Sequence, residues 1–283
     1  MTRCYVYWDK GYDAIPHMLK SIYDHNRVVC DLFNFPLVLI SDADVESYIP
    51  LPKQFWDLEP NFRSDVVRFN MLNKYGGIWL DMDAIVIKNL HELWNSFLET
   101  GKEVMVDIEV IPLHEVRVGC ASLVMLPNTK CSRFCKNYID MLLNAYPPDQ
   151  KLKWDFLGPT NIKLLYKTFP GRIEVNHRQQ IMDGSNFVTF WGEPGINTQD
   201  WYMSTSDKAA KRAQTIFSNT SCYFTMTWTI YRINKVPDGC NIKDKVCDDP
   251  RSVFHHLMKT SKQKAHEGFR LSKQLKNISS PAT

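Results

Sequence analysis

The sequence predicts an α/β protein in which helices cover a layered sheet. Three observations carry that expectation. Short β-branched and aromatic runs alternate with helical periodicities, and the connections between them are short. A chain of 283 residues, 44% hydrophobic and 12% aromatic, is also long enough to bury a full core. The elements follow in order. Residues 4–8, CYVYW, read as a first buried strand closed by Asp9-Lys10-Gly11. Pro16 to Asn26 reads as a helix with Ile15, Met18, Leu19 and Ile22 along one side. FPLVLISDAD (35–44) reads as a second buried strand running into an acidic turn. Val45 to Tyr48 is a short polar-apolar segment, and Pro50 and Pro52 break whatever precedes them.

A second helix is expected over 63–75, because Phe62, Val66, Phe69 and Leu72 recur at i, i+4, i+7 and i+10. Gly76-Gly77 stops it, since glycine takes the left-handed cap conformation cheaply. IWLDMDAIVIKNL (78–90) then reads as a strand, an acidic kink and a strand again. The resulting order β-α-β-α-β is that of a layered sheet. VMVDIEV (104–110) and CASLVMLP (120–127) read as later strands and Cys131 to Ala145 as a helix. GPTNIKLLYKTF (158–169) reads as a further helix, capped by Thr160. From about residue 171 the pattern is less periodic and rich in aromatics. With no internal repeat and no linker, a single domain over 1–283 is expected.

Composition excludes several classes. The net charge of +3 is mild, and no arginine-rich stripe lies beside aromatics, so a nucleic-acid partner is not expected. From Lys259 onward Lys259, Lys262, Lys264, Arg270, Lys273 and Lys276 face only Glu267, which reads as a solvated end rather than a membrane contact. No apolar run reaches the roughly 18–20 residues of a membrane span. Met1-Thr2-Arg3 leads directly into CYVYW without a secretory signal, so a cytoplasmic location is the expectation. The eight cysteines (4, 30, 120, 131, 135, 222, 240, 247) are accordingly expected as buried, reduced thiols, and neither the 131/135 nor the 240/247 spacing fits a zinc knuckle. The sequons Asn219-Thr220-Ser221 and Asn277-Ile278-Ser279 carry no weight in a cytosolic chain.

The segment FRSDVVRFNMLNKYGGIWLDMD (62–83) carries the chemistry. In an extended stretch residues i and i+2 point the same way, so Asp81 and Asp83 are expected to aim into one volume. Two carboxylates there repel unless protonated or bridged by a cation. Hard oxygens with room left for phosphate oxygens suit Mg²⁺ or Mn²⁺, which would neutralise a diphosphate leaving group. Most Asp-x-Asp triplets are solvated turns. This one interrupts a buried run between Ile78-Trp79-Leu80 and Ala84 to Ile87, and such exceptions to local pattern tend to be functional. Asp65 and Arg68 are i, i+3 neighbours beside the apolar face of their helix. They make either an intrahelical ion pair or a pair delivered beside Asp81 by the glycine turn.

The order Ser64-Asp65-x-x-Arg68, Leu72, Tyr75-Gly76-Gly77-Ile78-Trp79, Asp81-x-Asp83 closely resembles the sugar-binding D-x-D region of the family 32 glycosyltransferases. Related capsular-polysaccharide synthesis proteins look similar from the first strand, where this chain has Tyr7-Trp8-Asp9-Lys10-Gly11 followed by Pro16. The resemblance covers roughly residues 4–90. It implies a GT-A-like fold: one Rossmann-like domain with a mixed, mostly parallel central sheet flanked by helices. Residues 1–127 would be its nucleotide-sugar half and 128–283 its acceptor-side half. It implies metal-dependent transfer, with Mn²⁺ or Mg²⁺, from a UDP- or GDP-sugar to a glycan, glycolipid or glycoprotein acceptor, with retention of configuration. Retaining enzymes of this sort show no obvious enzymic nucleophile, so no catalytic base is assigned.

Residue by residue, the resemblance has Asp65 and Arg68 hydrogen-bond the donor sugar. Asp81 would touch the ribose or sugar and share the metal that Asp83 binds directly. Trp8 would stack on the nucleobase, its rival role being a half-buried core tryptophan. Trp154-Asp155-Phe156-Leu157-Gly158-Pro159 looks like the family's Gly-Pro segment on the acceptor side, which makes Asp155 and Asn161 candidate acceptor contacts. His255-His256-Leu257-Met258-Lys259-Thr260-Ser261 resembles a terminal His-x-x-x-Lys-x-Ser of some relatives, so His255, with His256 as rival, is a candidate metal ligand.

Two other readings are open to the residues. DMDAIV fits a haloacid-dehalogenase-type phosphohydrolase, with the first Asp as nucleophile and the second as general acid. That nucleophile ends the first strand of its domain, however, whereas here two strands and the Asp65/Arg68 helix come first. A non-catalytic sugar-binding relative is the other, against which the intact charged sets argue.

Overall fold

The computed structural model describes residues 2–110, 116–145, 152–153, 155–177, 224–226 and 253–279. Its strands are β1 (Cys4–Tyr7), β2 (Leu37–Ile40), β3 (Gly77–Leu80), β4 (Ala84–Val86), β5 (Val104–Val110), β6 (Val116–Met125), β7 (Ile173–His177) and β8 (Phe224–Met226). Its helices are α1 (His17–Leu32), α2 (Val45–Tyr48), α3 (Pro60–Tyr75), α4 (Leu90–Glu99), α5 (Lys130–Ala145), α6 (Pro159–Thr168) and, near the end of the chain, α7 (Val253–Ser279). They fall into two compact units that interleave along the sequence. One comprises Met1–Ile15, Pro36–Met82 and Trp94–Arg178, the other Pro16–Phe35, Asp83–Leu93 and Gln179–Thr283.

The first unit is built on a six-stranded sheet in the order β2-β1-β3-β6-β5-β7. β1 is parallel to β2 and β3, β6 is antiparallel to β3 and β5, and β7 is parallel to β5. The expected α/β class holds, with a mixed sheet. β2 is less buried than expected: only Ile40 is fully covered, because the strand forms the sheet's edge. The core joins Tyr5, Trp79, Leu123 and Met125 of the sheet to Val66, Phe69 and Leu72 of α3, Ile139 and Leu143 of α5, and Ile162 and Leu165 of α6. The apolar stripe read from the sequence of α3 is thus its buried face. Pro60 opens the helix at a position where its missing N–H costs nothing.

Gly76 and Gly77 end α3 with φ of 63° and 114°. They answer to space as well as to torsion. A Cβ on Gly76 would lie 2.5 Å from Pro127 Cδ, and one on Gly77 2.4 Å from the Arg3 carbonyl oxygen. The expected Thr160 cap is absent. Gly158 is the N-cap of α6 and Pro159 begins the helix, so Thr160 already lies inside the first turn, its N–H bonded to the Asp155 carbonyl at 3.0 Å.

In the second unit β4 pairs antiparallel with β8, Ile85 facing Thr225. Its other edge is met by side chains of α1, which runs on to Leu32, beyond the expected Asn26. Asn26 Nδ2 donates to the Ala84 carbonyl at 2.7 Å, while the Val86 N–H donates to Asn26 Oδ1 at 2.8 Å. His25 Nε2 lies 2.9 Å from the Val86 carbonyl oxygen, so that nitrogen carries the ring's proton. Burial holds the His25 pKa below its ordinary value, with Lys262 pushing the same way. Phe33, which caps α1, meets Phe269 of α7 edge to face at 6.0 Å. No helix among the described residues is long and apolar enough to cross a membrane. Cys30, Cys131 and Cys135 are buried free thiols, as expected, and Cys120 is a half-buried one. Cys222, Cys240, Cys247 and the Asn219 sequon lie outside the described residues.

Candidate functional site

α3 turns through its two glycines directly into β3, so the helix folds back over the strand that follows it. That reversal brings Asp65 and Arg68 to the end of β3. Arg68 Nη1 donates to Asp65 Oδ1 at 2.7 Å and Nη2 donates to Asp81 Oδ1, also at 2.7 Å. The i, i+3 pair is therefore not merely intrahelical. One guanidinium bridges helix and strand end, and Asp65 and Arg68 are only 6% and 3% exposed. Trp79 lies two residues before Asp81 and so shares its face of the strand. Its Nε1 donates to the same Asp81 oxygen at 3.0 Å, and its ring lies under the guanidinium, 5.3 Å from centroid to Cζ.

Two further residues complete this arrangement, and neither was singled out by sequence reasoning for the place it takes. The pairing of β5 with β6 slips, Val106 facing Leu123 and Asp107 facing Gly119, which leaves residues 120–122 without partners on β5. Such bulges re-aim side chains, and Cys120 acts electrostatically on the Arg68 guanidinium. Gly158 presses against the same cluster. A Cβ there would fall 2.6 Å from Asp65 Oδ1 and 2.9 Å from Cys120 Sγ. Only glycine fits. The Gly-Pro pair was the available signal for Gly158, and strand alternation for Trp79; nothing in the sequence marked Cys120.

Burial dominates the electrostatics. It pushes the Asp65 carboxyl up to about 7, with Asp81 adding to the rise and Arg68 opposing it. Burial also works against the charge on Arg68, but Cys120, Asp81 and Asp65 outweigh it, and its pKa stands above the ordinary value. Arg68 therefore stays charged while Asp65 is held near the point of protonation. Burial drives the Cys120 thiol up to about 12, so it is a neutral partner to the guanidinium. Arg68 Nε is buried and has no hydrogen-bond partner among the described residues, and neither has Nε1 of the partly buried Trp8, just past β1.

The acidic pair departs from the extended geometry expected of it. Asp81 follows β3, while Met82 and Asp83 form a turn ahead of β4, so strand alternation does not set the direction of both carboxylates. Asp81 is half-buried and Asp83 is 3% exposed. His255 is half-buried on α7, edge to face with His256 at 6.3 Å. Among the described residues no three His, Cys, Asp or Glu side chains are grouped so that they could hold a metal ion. Asn161 is fully buried, its Nδ2 donating to the Cys135 carbonyl at 3.0 Å. Asp155 is partly buried in the turn before α6 and accepts through its backbone carbonyl from Thr160.

A family model described as capsular polysaccharide synthesis protein matches residues 2–153, and the chain belongs to that family. No curated protein matches it. Among solved structures, it is similar to a glycosyltransferase involved in glycosylation of the major capsid of PBCV-1, at 14% identity and a TM-score of 0.40, over 62% of this chain and 82% of that one. The PaToxG glycosyltransferase is similar at 12% identity and a TM-score of 0.37, over 90% of this chain and 86% of the other. A putative glucose-1-phosphate thymidylyltransferase from Bacillus anthracis follows at 8% identity and 0.34, over 62% and 87%. All three likenesses are loose.

Proposed function

We propose that the protein is a glycosyltransferase that moves a sugar from a nucleotide-sugar donor, a UDP- or GDP-sugar, to a glycan-type acceptor with retention of configuration, using Mn²⁺ or Mg²⁺. The observation that carries this reading is the buried Arg68 held between Asp65 and Asp81, its Nε without a hydrogen-bond partner among the described residues. A buried N–H without an acceptor costs free energy that a ligand oxygen can restore. Sugar hydroxyls and ribose oxygens are such acceptors, and the carboxylates around Arg68 can take hydrogen bonds from the same hydroxyls in return. Trp8 Nε1 is a second buried donor without an acceptor among the described residues, and its indole supplies a surface for a base. Membership of the capsular polysaccharide synthesis family agrees with a sugar substrate.

Asp81 and Asp83 would hold the metal. Their donor set of hard oxygens fits Mg²⁺ or Mn²⁺, the remaining positions falling to diphosphate and water oxygens. Bound there, the ion would stabilise charge on the departing diphosphate. The chain's own part is to fix the donor. Arg68 and Asp65 would orient the sugar, Trp79 would keep Asp81 in place through its Nε1, and Gly158 would keep the cluster tight. The test is a panel of UDP- and GDP-sugars assayed for Mn²⁺-dependent hydrolysis without acceptor, beside Asp83→Asn. Turnover by the wild type that EDTA and Asp83→Asn both abolish is the expected result. Full turnover in EDTA would overturn the metal assignment, and no turnover of any donor the transferase reading itself.

A further inference from the structure

The exposed side of α7 carries a line of basic side chains. Lys259, Lys262, His266, Arg270 and Lys273 are all exposed and follow one another at steps of three, four, four and three residues, which keeps them on one flank of the helix. At 1.5 Å per residue the line runs about 21 Å, with neighbours about 4.5–6 Å apart along the axis. The four permanent charges, on Lys259, Lys262, Arg270 and Lys273, are about 4.5–12 Å apart along the axis, comparable with a Debye length of about 10 Å at 0.1 M salt, so they act on an extended ligand together. None of the five joins an ion pair among the described residues. Like charges at this spacing weaken a helix, and no acid stands in the line to relieve them. Glu267, the one acid of the helix, stands three residues before Arg270 at the margin of the line.

We propose that this flank binds a linear acidic polysaccharide, laid along the helix with its carboxylates against the cations. The line is one residue wide, which matches an extended polyanion. The small residues of α7 are turned away from it, Ser261 and Ala265 being each 1% exposed, and Phe269, half-buried against Phe33, carries the Lys273 ammonium over its ring at 4.6 Å. The exposed Leu271 does not flank the line. A helix that inserts into a lipid surface needs an apolar face to bury, and that of α7 is already used. The family is one of polysaccharide synthesis, and the basic line selects an acidic chain within that class. The inference rests on the transferase reading only in taking the bound chain for an acceptor.

The experiment is binding without donor, by calorimetry, of polygalacturonate oligomers, neutral dextran, and vesicles of equal parts phosphatidylglycerol and phosphatidylcholine. Three proteins are compared. They are the wild type, a line variant (K259Q, K262Q, R270Q, K273Q), and a control of equal charge change on exposed residues elsewhere (K53Q, K130Q, R133Q, K153Q). Expected are salt-sensitive binding of polygalacturonate by wild type and control, about tenfold or more weaker binding by the line variant, and none of dextran. Circular dichroism verifies folding, and K259Q and K273Q alone replace the line variant if it does not fold. Equal weakening in line variant and control, absence of wild-type binding, or a line-dependent preference for vesicles would each overturn the proposal. Donor hydrolysis is measured separately, so failure of the transferase reading would appear there and leave the binding result intact.

Discussion

Replacing Arg68 with Met keeps most of its volume and removes the charge that both Asp65 and Asp81 accept from. The two contacts at 2.7 Å are charge-assisted, and the arginine is 3% exposed. Removing one partner of such a buried set strands the other, at a cost of about 3–5 kcal/mol. Asp65→Asn is milder, within about 1–2 kcal/mol of the wild type, because the amide oxygen can still accept from Nη1 and the lost charge is one that burial disfavours at pH 8. In the double variant no stranded carboxylate remains at position 65. Its loss should therefore fall short of the sum of the single losses by about 1–3 kcal/mol, as expected for residues in one network. Urea denaturation at pH 8 in EDTA measures all four stabilities, and donor hydrolysis on the same preparations measures function. Donor use should fall in both single variants, and again by less than additively in the double. Additivity within about 0.5 kcal/mol, or wild-type turnover in both single variants, would refute a shared clamp and leave an incidental helix ion pair.

Three further outcomes follow from the same geometry. The Asp65 pKa of about 7 lies above its unfolded 3.8, so the folded state binds more protons between those values and stability falls as pH rises from about 4 to 7. The fall should be ~4 kcal/mol at most, and urea midpoints taken across that range should lose it in Asp65→Asn; equal slopes in the two proteins would show that the carboxyl is not held near neutrality. His25 has the opposite sign: its folded pKa is depressed, so its contribution is present above about 6.5 and is lost as pH falls below it. His25→Gln, which keeps a donor for the Val86 carbonyl, should flatten that acid limb, and an unchanged limb would assign it to other groups. Gly158→Ala places a methyl 2.6 Å from Asp65 Oδ1, which should cost about 1–3 kcal/mol of stability and lower donor turnover. Wild-type values for both would mean that the α6 turn yields freely.

What the sequence made legible was local. The stripe of α3, its glycine stop and the strand after it lie within about 20 consecutive residues, and a helix doubling back over its own following strand places Arg68 near Asp81 without further information. Gly158 and Cys120 reach the same cluster from much further along the chain. Their place depends on how α6 docks and on a register slip between β5 and β6, neither of which leaves a periodic signal. β4 was legible as a second strand after the acidic kink, but its partner was not: it pairs with residues some 140 positions later in another sheet. A strand also needs donors and acceptors on both edges, and β8 serves only one. α1 supplies the other: the Asn26 amide presents one N–H and one carbonyl, the same pair a neighbouring strand would offer, to Ala84 and Val86. In the sequence Asn26 looked like the polar end of a short helix. Its meaning lies in the strand edge it completes, immediately after the aspartate proposed to hold the metal.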